Sequence, residues 1–390
     1  MALTYLERSL SYIKSIVILI CCLISFNGFA QKKSFKIGVL IDYSGKTRDV
    51  ARPYLRGLKD YFTKFNNEQS HPFLVELVIK DTKYNPLLAV KYYKELRDKK
   101  VKVIHAWGTA SCLKIMNLAK KDKIIVFTAS YDEILSSPKK SPYTFFMGAS
   151  YTDQAIMALK YIKKENPNAK VALIYNSTSF GKSPFFNKRF NTAIKKLKLN
   201  VVIKQVIALN SFDSIKEMKK IEAAKADYAI IQETTKATVS ILSAAKKIGL
   251  KTKLIGLNWA FNENIMRLVQ DASDGYMGIP LFAHGNEVQS KGIREIREHI
   301  ILNKRASVIP SKFVAGWATA MVIVKGVSLS IEKNTSLLNG FESINNFSTD
   351  GISTPVSFSP KDHSGLKSIK IYVMKDMKIK TVNNEIYKVD

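Results

Sequence analysis

Residues Val103–Leu135 read VIHAWGTASCLKIMNLAKKDKIIVFTASYDEIL. A largely apolar run, Val101 to Ala106, leads into a small polar turn, Gly108-Thr109-Ala110-Ser111. Leu113, Met116, Leu118 and Ala119 then recur at helical spacing. A second apolar run, Ile124 to Phe127, leads into a second hydroxyl-rich turn, Thr128-Ala129-Ser130-Tyr131. Two neighbouring strands that each end in Ser/Thr and small residues predict a cleft, because ligands of open parallel sheets collect at the carboxyl ends of strands. Free N–H groups at a helix start, with hydroxyls beside them, suit a carboxylate or another small anion. Ser and Thr are also ordinary helix caps, so either turn alone would say less than the pair.

The alternation extends both ways. Ser34–Asp42 is a strand with the turn Tyr43-Ser44-Gly45, Ala51–Asn66 a helix, Phe73–Lys80 a strand and Pro86–Lys99 a helix. A second series follows: strands at Val171–Tyr175, Val201–Leu209, Tyr228–Ile231 and Leu254–Leu257, with helices between them. Their turns, Asn176–Ser183, Gln232–Thr235 and Asn258–Phe261, again place polar or aromatic residues after apolar runs. The pattern predicts an α/β protein of two units, each a parallel-rich sheet flanked by helices. The tail breaks the alternation. Lys312–Ile331 reads as a core helix rather than a membrane span, since Lys325 and small polar residues interrupt it. Ile352–Ser359 and Ile369–Met374 read as strands joined by a turn at Pro360–Gly365.

Residues 1–30 read as a signal peptide: Arg8 and Lys14 precede the apolar run Ile16–Phe26, and Gly28 and Ala30 suit cleavage before Gln31. Export to the periplasm or beyond is expected. Ile20 is large where a lipobox has a small residue, which argues against lipidation at Cys21 or Cys22. Cys112 is then alone in the mature chain, so burial rather than disulfides holds the fold, and Cys112 reads as a packed small residue. The formal charge of +29 comes mostly from lysines spread along the chain on solvated helix faces. No nucleic-acid-reading module accompanies it, and nucleic acid is not expected as a partner.

An exported hydrolase would need a nucleophile, a base and an orienting acid. No Gly-x-Ser-x-Gly elbow or His-Glu-x-x-His run occurs, and the 5 His are scattered. His105 reads as core, Trp317 as packing and Asp362-His363 as turn chemistry. No catalytic residue, metal ligand or cofactor is assigned, and a binder is expected.

The chain resembles the leucine/isoleucine/valine-binding group of periplasmic substrate-binding proteins of ABC transporters. The matches are KIGVLIDYSG (36–45), PYLRGLKDYF (53–62), WGTAS (107–111), FTASYDEIL (127–135), SYTDQ (150–154), YNSTSFG (175–181), IGLNWAFNENIM (255–266) and VSFSPKDHSGLKSIKIYVMKDMKIK (356–380). The resemblance implies a type I periplasmic binding fold: two lobes, joined by a three-strand hinge, that close on a small solute. It places lobe 1 at 31–149 plus 279–352 and lobe 2 at 150–278 plus 353–390, with crossovers near Met147–Ser150, Tyr276–Pro280 and Asp350–Thr354. It implies a monomer that delivers an amino acid or similar solute to a membrane permease. A sensor ectodomain of the same fold, working with a separate membrane receptor, is the alternative.

By the same resemblance, Thr109, Ser111, Ala129 and Ser130 or Tyr131 hold the solute's carboxylate, with Ser44 in the neighbouring turn. Phe180 packs on the solute from lobe 2, Ser150–Asp153 lies near its ammonium, and Gln232-Glu233 and Asn258-Trp259 form the lobe 2 turns. One departure stands out. Asn258 or Trp259 occupies the place where leucine-binding members pair an acidic residue with the ammonium. An amide cannot neutralise a buried ammonium. Either Asp153 or Glu233 substitutes, or the solute lacks an α-amino group.

Overall fold

The computed structural model describes residues 32–68, 70–304, 308–383 and 385–388. The signal-peptide reading of 1–30 and the lipidation question at Cys21 and Cys22 lie outside the described residues.

Five strands form the first sheet: β1 (Lys33–Ile41), β2 (Phe73–Asp81), β3 (Val103–Ala106), β4 (Ile125–Thr128) and β5 (Thr144–Phe145). Their order is β2-β1-β3-β4-β5 and every pairing is parallel. β3 and β4 are buried along their whole length, as continuous apolar strands covered on both faces should be. The covering helices include α1 (Arg48–Asn67), α2 (Pro86–Asp98) and α3 (Thr109–Asp122).

The second lobe begins with α4 (Tyr151–Glu165), β6 (Lys170–Tyr175), the single turn α5 (Ser179–Lys182), α6 (Lys188–Leu197) and β7 (Asn200–Val206). It continues through α7 (Ile215–Ala223), β8 (Tyr228–Gln232), α8 (Thr235–Ile248), β9 (Lys253–Gly256), α9 (Glu263–Val269) and β10 (Met277–Gly278). The chain then returns to the first lobe with α10 (Lys291–Leu302), α11 (Ser311–Glu332) and α12 (Leu337–Glu342). Late in the chain come β11 (Ser368–Ile369), β12 (Tyr372–Lys375), β13 (Lys378–Thr381) and β14 (Tyr387–Lys388). The second sheet runs β13-β12-β10-β9-β8-β6-β7, parallel except for β12 and β13, and β11 pairs with β14 separately. The fold is the two-lobed type I arrangement of parallel-rich sheets flanked by helices.

Two expectations for the tail need correction. Ile352–Ser359 does not pair with the strand that follows it; it makes isolated bridges, Phe347 to Val356 and Ser359 to Asp362. The hairpin lies further on, between β12 and β13, where Asp376 and Met377 both take φ 53°. Two left-handed residues in a two-residue loop match the twist of the flanking strands. Secondly, 353–366 does not join the second lobe. The Phe358 ring packs 6.1 Å from Phe127 and 5.3 Å from Phe145, and Ser364 bridges Phe146. The chain re-enters the second sheet only at β12.

α11 is apolar and long enough to cross a membrane by composition, yet 83% of its apolar window is buried. It packs on α1 with backbone against backbone. A Cβ at Gly57 would stand 1.9 Å from the Phe313 carbonyl oxygen, and one at Gly316 1.9 Å from that of Tyr54. The Tyr54 hydroxyl donates to Thr319 Oγ1 at 2.8 Å across this contact.

Neither clash can be relieved by a side-chain rotation, because the obstacle is a carbonyl. Gly57→Ala and Gly316→Ala should each destabilise the protein by about 3 kcal/mol, the upper part of the overpacking range. Urea midpoints measured at constant slope check this; a loss under about 0.5 kcal/mol would mean that the helices separate without cost.

Candidate functional site

The carboxyl ends of the two sheets face each other across a narrow cavity of about 20 Å³. That is room for about one water molecule, so the lobes stand close together here and a solute needs them to part. The first lobe lines it with Gly108 and Thr109 from the first turn, Ala129 and Ser130 from the second, and Thr47, Val50, Tyr84 and Trp107. The second lobe contributes Tyr151, Phe180, Thr234 and Trp259.

The first turn has the geometry its sequence suggests. Gly108 takes φ 88° as the residue before α3, and no side chain caps that helix start. The early N–H groups are therefore not spent on a hydroxyl cap, and Gly108 and Thr109 border the cavity. Glycine is required at 108 twice over, by φ and because a Cβ would meet the Tyr84 ring at 3.0 Å. The second turn is tied to the first by the bond between Thr109 Oγ1 and Ser130 Oγ, 2.8 Å. Ser111 is buried one layer behind, and a Cβ at Gly108 would lie 3.6 Å from its Oγ.

Trp259 is the centre of an aromatic cluster spanning both lobes. Its ring lies 5.0 Å from Trp107 edge-on and 5.9 Å from Tyr131 in a stacked pair, and Nε1 donates to the Tyr151 hydroxyl at 3.0 Å. Tyr131 backs this wall and does not line the cavity. Phe180 lines it opposite, 5.5 Å from the Tyr151 ring, and its carbonyl accepts from Gln232 Nε2 at 3.1 Å.

Other expected residues lie elsewhere. Ser44 is exposed and donates to Asp81 Oδ2 at 2.5 Å, while Thr47, three residues on, lines the cavity and accepts from Trp107 Nε1 at 2.9 Å. Ser150 and Asp153 form a reciprocal capping box at the start of α4. Asp153 Oδ1 also accepts from Arg189 Nη2 at 2.7 Å, at the outer rim. Asn258 serves the backbone: its Oδ1 accepts from Leu281 N at 3.4 Å and its N–H donates to Gln154 Oε1 at 3.0 Å.

Glu233 sits just behind Thr234. Its Oε2 accepts from Asn176 Nδ2 at 3.1 Å, but Oε1 is buried without a partner, as are Gln232 Oε1 and Thr234 Oγ1. Burial pushes the Glu233 carboxyl well above the ordinary range, against the Asn176 and Thr234 N–H bonds. Three consecutive residues at one strand end thus present unpaired acceptor oxygens.

Sequence reasoning missed Tyr84, Thr47, Val50, Tyr151 and Thr234. Lys83 and Tyr84 take φ 50° and 57°, left-handed conformations that no Gly or Asn announces. Trp107 is 5% exposed and also forms cavity wall. His105 stacks on Tyr54 at 5.4 Å, and burial lowers it to about 3. His363 bonds Thr144 O and Glu342 Oε1 and stacks on Phe145 at 3.8 Å. Burial raises the Cys112 thiol. None of these three borders the cavity. Among the described residues no His/Cys/Asp/Glu cluster suits a metal ion.

The sequence family described as periplasmic binding protein matches residues 34–378. No curated protein sequence matches the chain. Among solved structures, a branched-chain amino-acid ABC transporter protein of Thermus thermophilus with bound valine is 23% identical, with TM-score 0.86 over 92% of this chain and 97% of that one. A fatty-acid ABC transporter substrate-binding protein from Thermomonospora curvata is 19% identical, with TM-score 0.81 over 91% and 92%. A solute-binding protein from R. palustris in complex with 4-hydroxybenzoate is 19% identical, with TM-score 0.76 over 92% and 98%. One fold thus carries solutes of several chemistries.

Glu233 gives a pH signature. Its pKa is raised on folding above the unfolded value of 4.5, so the stability it contributes is present below that value and is lost as pH rises toward the folded pKa. Glu233→Gln should remove that part of the decline, leaving the variant more stable than wild type at neutral pH. Urea midpoints at about pH 5 and pH 8 test this; parallel losses in both proteins would show that Glu233 does not titrate between them.

Proposed function

The chain belongs to the periplasmic binding protein family, and from that premise we propose that it is an exported solute-binding protein. It captures an amino acid, or a related carboxylate or amide, between its lobes and delivers it to an ABC-transporter permease. The observation that carries this reading is the cavity itself, which lies at the strand ends of both sheets and takes walls from both.

The first lobe offers the resting site. Thr109, Ser130 and the uncapped start of α3 form a donor-rich corner for an anionic or carbonyl oxygen. Trp259, Phe180 and Thr234 reach the solute only when the lobes meet, so their contacts pull the population toward closure. The lobes turn about three crossovers, near 147–150, 278–283 and 365–371. Gly148 and Gly278 fit the first two, and the third falls later than the Asp350–Thr354 expected for it, since 353–366 packs on the first lobe.

The solute's body is apolar or aromatic, because Trp107, Trp259, Phe180, Tyr84 and Val50 form most of the wall. Asp153, engaged by Ser150 and Arg189, is not available to an ammonium. A solute without an α-amino group fits that wall. The unpaired oxygens of Gln232, Glu233 and Thr234 favour a second reading, in which the solute brings a donor or ammonium group to that strand end.

A thermal-shift screen of the mature protein against amino acids, amides, aliphatic acids and aromatic acids separates the two. A solute at 100 times its Kd stabilises by about 2.7 kcal/mol, and Tm rises with its concentration. Thr109→Val should weaken that solute by about tenfold, the cost of one lost hydrogen bond in a closed site. An amino acid as the sole hit supports the second reading. No response to any class would overturn solute capture.

A further inference from the structure

Lys312 belongs to the first lobe, as the second residue of α11, yet its side chain ends on the second. Nζ donates to the backbone oxygens of Asn258, at 2.6 Å, and Phe261, at 3.3 Å. It also lies 5.1 Å from the centroid of the Trp259 ring. The residue is 5% exposed. No carboxylate forms an ion pair with it among the described residues. Asp49 on α1 and Glu263 on α9 are the acidic groups that act on it. Asp49 Oδ2 accepts from Lys236 N at 3.2 Å. Glu263 is engaged by the Ser311 N–H and by His284, whose Nδ1 is 3.6 Å from its Oε2. Against the pull of burial, these partners hold the Glu263 carboxyl below its ordinary range.

We propose that Lys312 is the positioning residue for the Trp259 wall of the cavity and a proton-linked brake on closure. Its ammonium is hydrated while the lobes are apart and becomes a buried cation with no carboxylate in direct contact when they meet. The proposal rests on lobe closure as described above and not on the identity of the solute.

Two carbonyls and an aromatic face recover part of the cost of burying an ammonium, but not the part a carboxylate would recover. Burial accordingly lowers Lys312 from 10.5 to about 8 in the closed form. The open form keeps its proton up to the ordinary value. Between these limits closing releases a proton, so rising pH favours the closed form. Below the lower limit both forms are charged and closure carries the full penalty. The empty cleft therefore stays open at neutral pH until a solute supplies the missing free energy.

Small-angle X-ray scattering of the solute-free mature protein, from about pH 7 to about pH 9.5, tests this, with circular dichroism to confirm folding. In wild type the radius of gyration should fall as pH passes Lys312's lowered value, the closed-to-open ratio climbing toward about tenfold per pH unit. Lys312→Met keeps the length without the charge and should be compact at all these pH values. Lys312→Arg should stay extended at all of them. A pH-independent wild type, or a Lys312→Met protein as extended as wild type at neutral pH, overturns the proposal. A wild type that compacts with pH while no solute raises its Tm upholds the brake and overturns solute capture instead.

Discussion

The contact between Gly57 and Gly316 decides where much of this molecule goes. Two helices approach until carbonyl oxygens occupy the space that side chains would fill. α11 is thereby fixed to the first lobe, far in sequence from the sheet it covers. Its Trp317 packs edge-on to Tyr61 at 5.3 Å, and Thr319 takes the Tyr54 hydroxyl. Tyr54 in turn stacks on His105 and meets Trp107 edge-on at 5.2 Å. The first lobe's cavity wall thus rests on a helix crossing that only glycine permits. The same crossing aims Lys312, at the start of α11, toward the other lobe.

The contacts that join the lobes fall into two kinds. At the rim they are polar: Ser183 Oγ donates to Asp132 Oδ2 at 2.7 Å, and Arg189 pairs with Glu133 at 3.1 Å. Arg189 and Glu133 remain partly in water, and exposed pairs are worth little, about 0–1 kcal/mol. At the centre the contacts are aromatic, with Trp259 against Trp107, Tyr131 and Tyr54. In the closing motion proposed above, burial of those faces would favour closure and the rim would set its register. A small net balance of this sort is what a solute with modest differential affinity can tip.

The fold was largely legible because its central strands are short continuous apolar runs between polar turns, and that pattern survives without any tertiary information. The tail was not. Ile352–Ser359 alternates like a strand, but its backbone is satisfied by scattered partners such as Phe347, Ile344 and Gly365. The turn chemistry at Pro360–Gly365 is real, with Asp362 capping Ser364 at 2.8 Å, yet it lies on the first lobe rather than inside a hairpin. In the site, Thr109, Ala129, Ser130, Phe180 and Trp259 were readable because all five lie in the turns and helix starts that follow apolar strands. Tyr84 was not, since its left-handed backbone carries no sequence mark. Lys312 was hidden among 61 basic residues, 54 positions from the carbonyl it reaches.

The excess positive charge and the cavity are separate matters. The chain carries a formal +29, yet none of the twelve residues lining the cavity is charged. The nearest buried cation, Lys312, is turned toward backbone carbonyls behind Trp259. A solute anion would therefore be held by hydroxyls and by the aligned N–H groups at the start of α3, not by a counter-ion. Dipoles of this kind hold a carboxylate or an amide oxygen by position, and they leave discrimination to the shape of the aromatic wall. That wall is pinned by Trp259, and Trp259 is pinned by the Tyr151 hydroxyl and by Lys312. On the proposed reading, what the cleft selects and how readily it closes would both turn on Trp259.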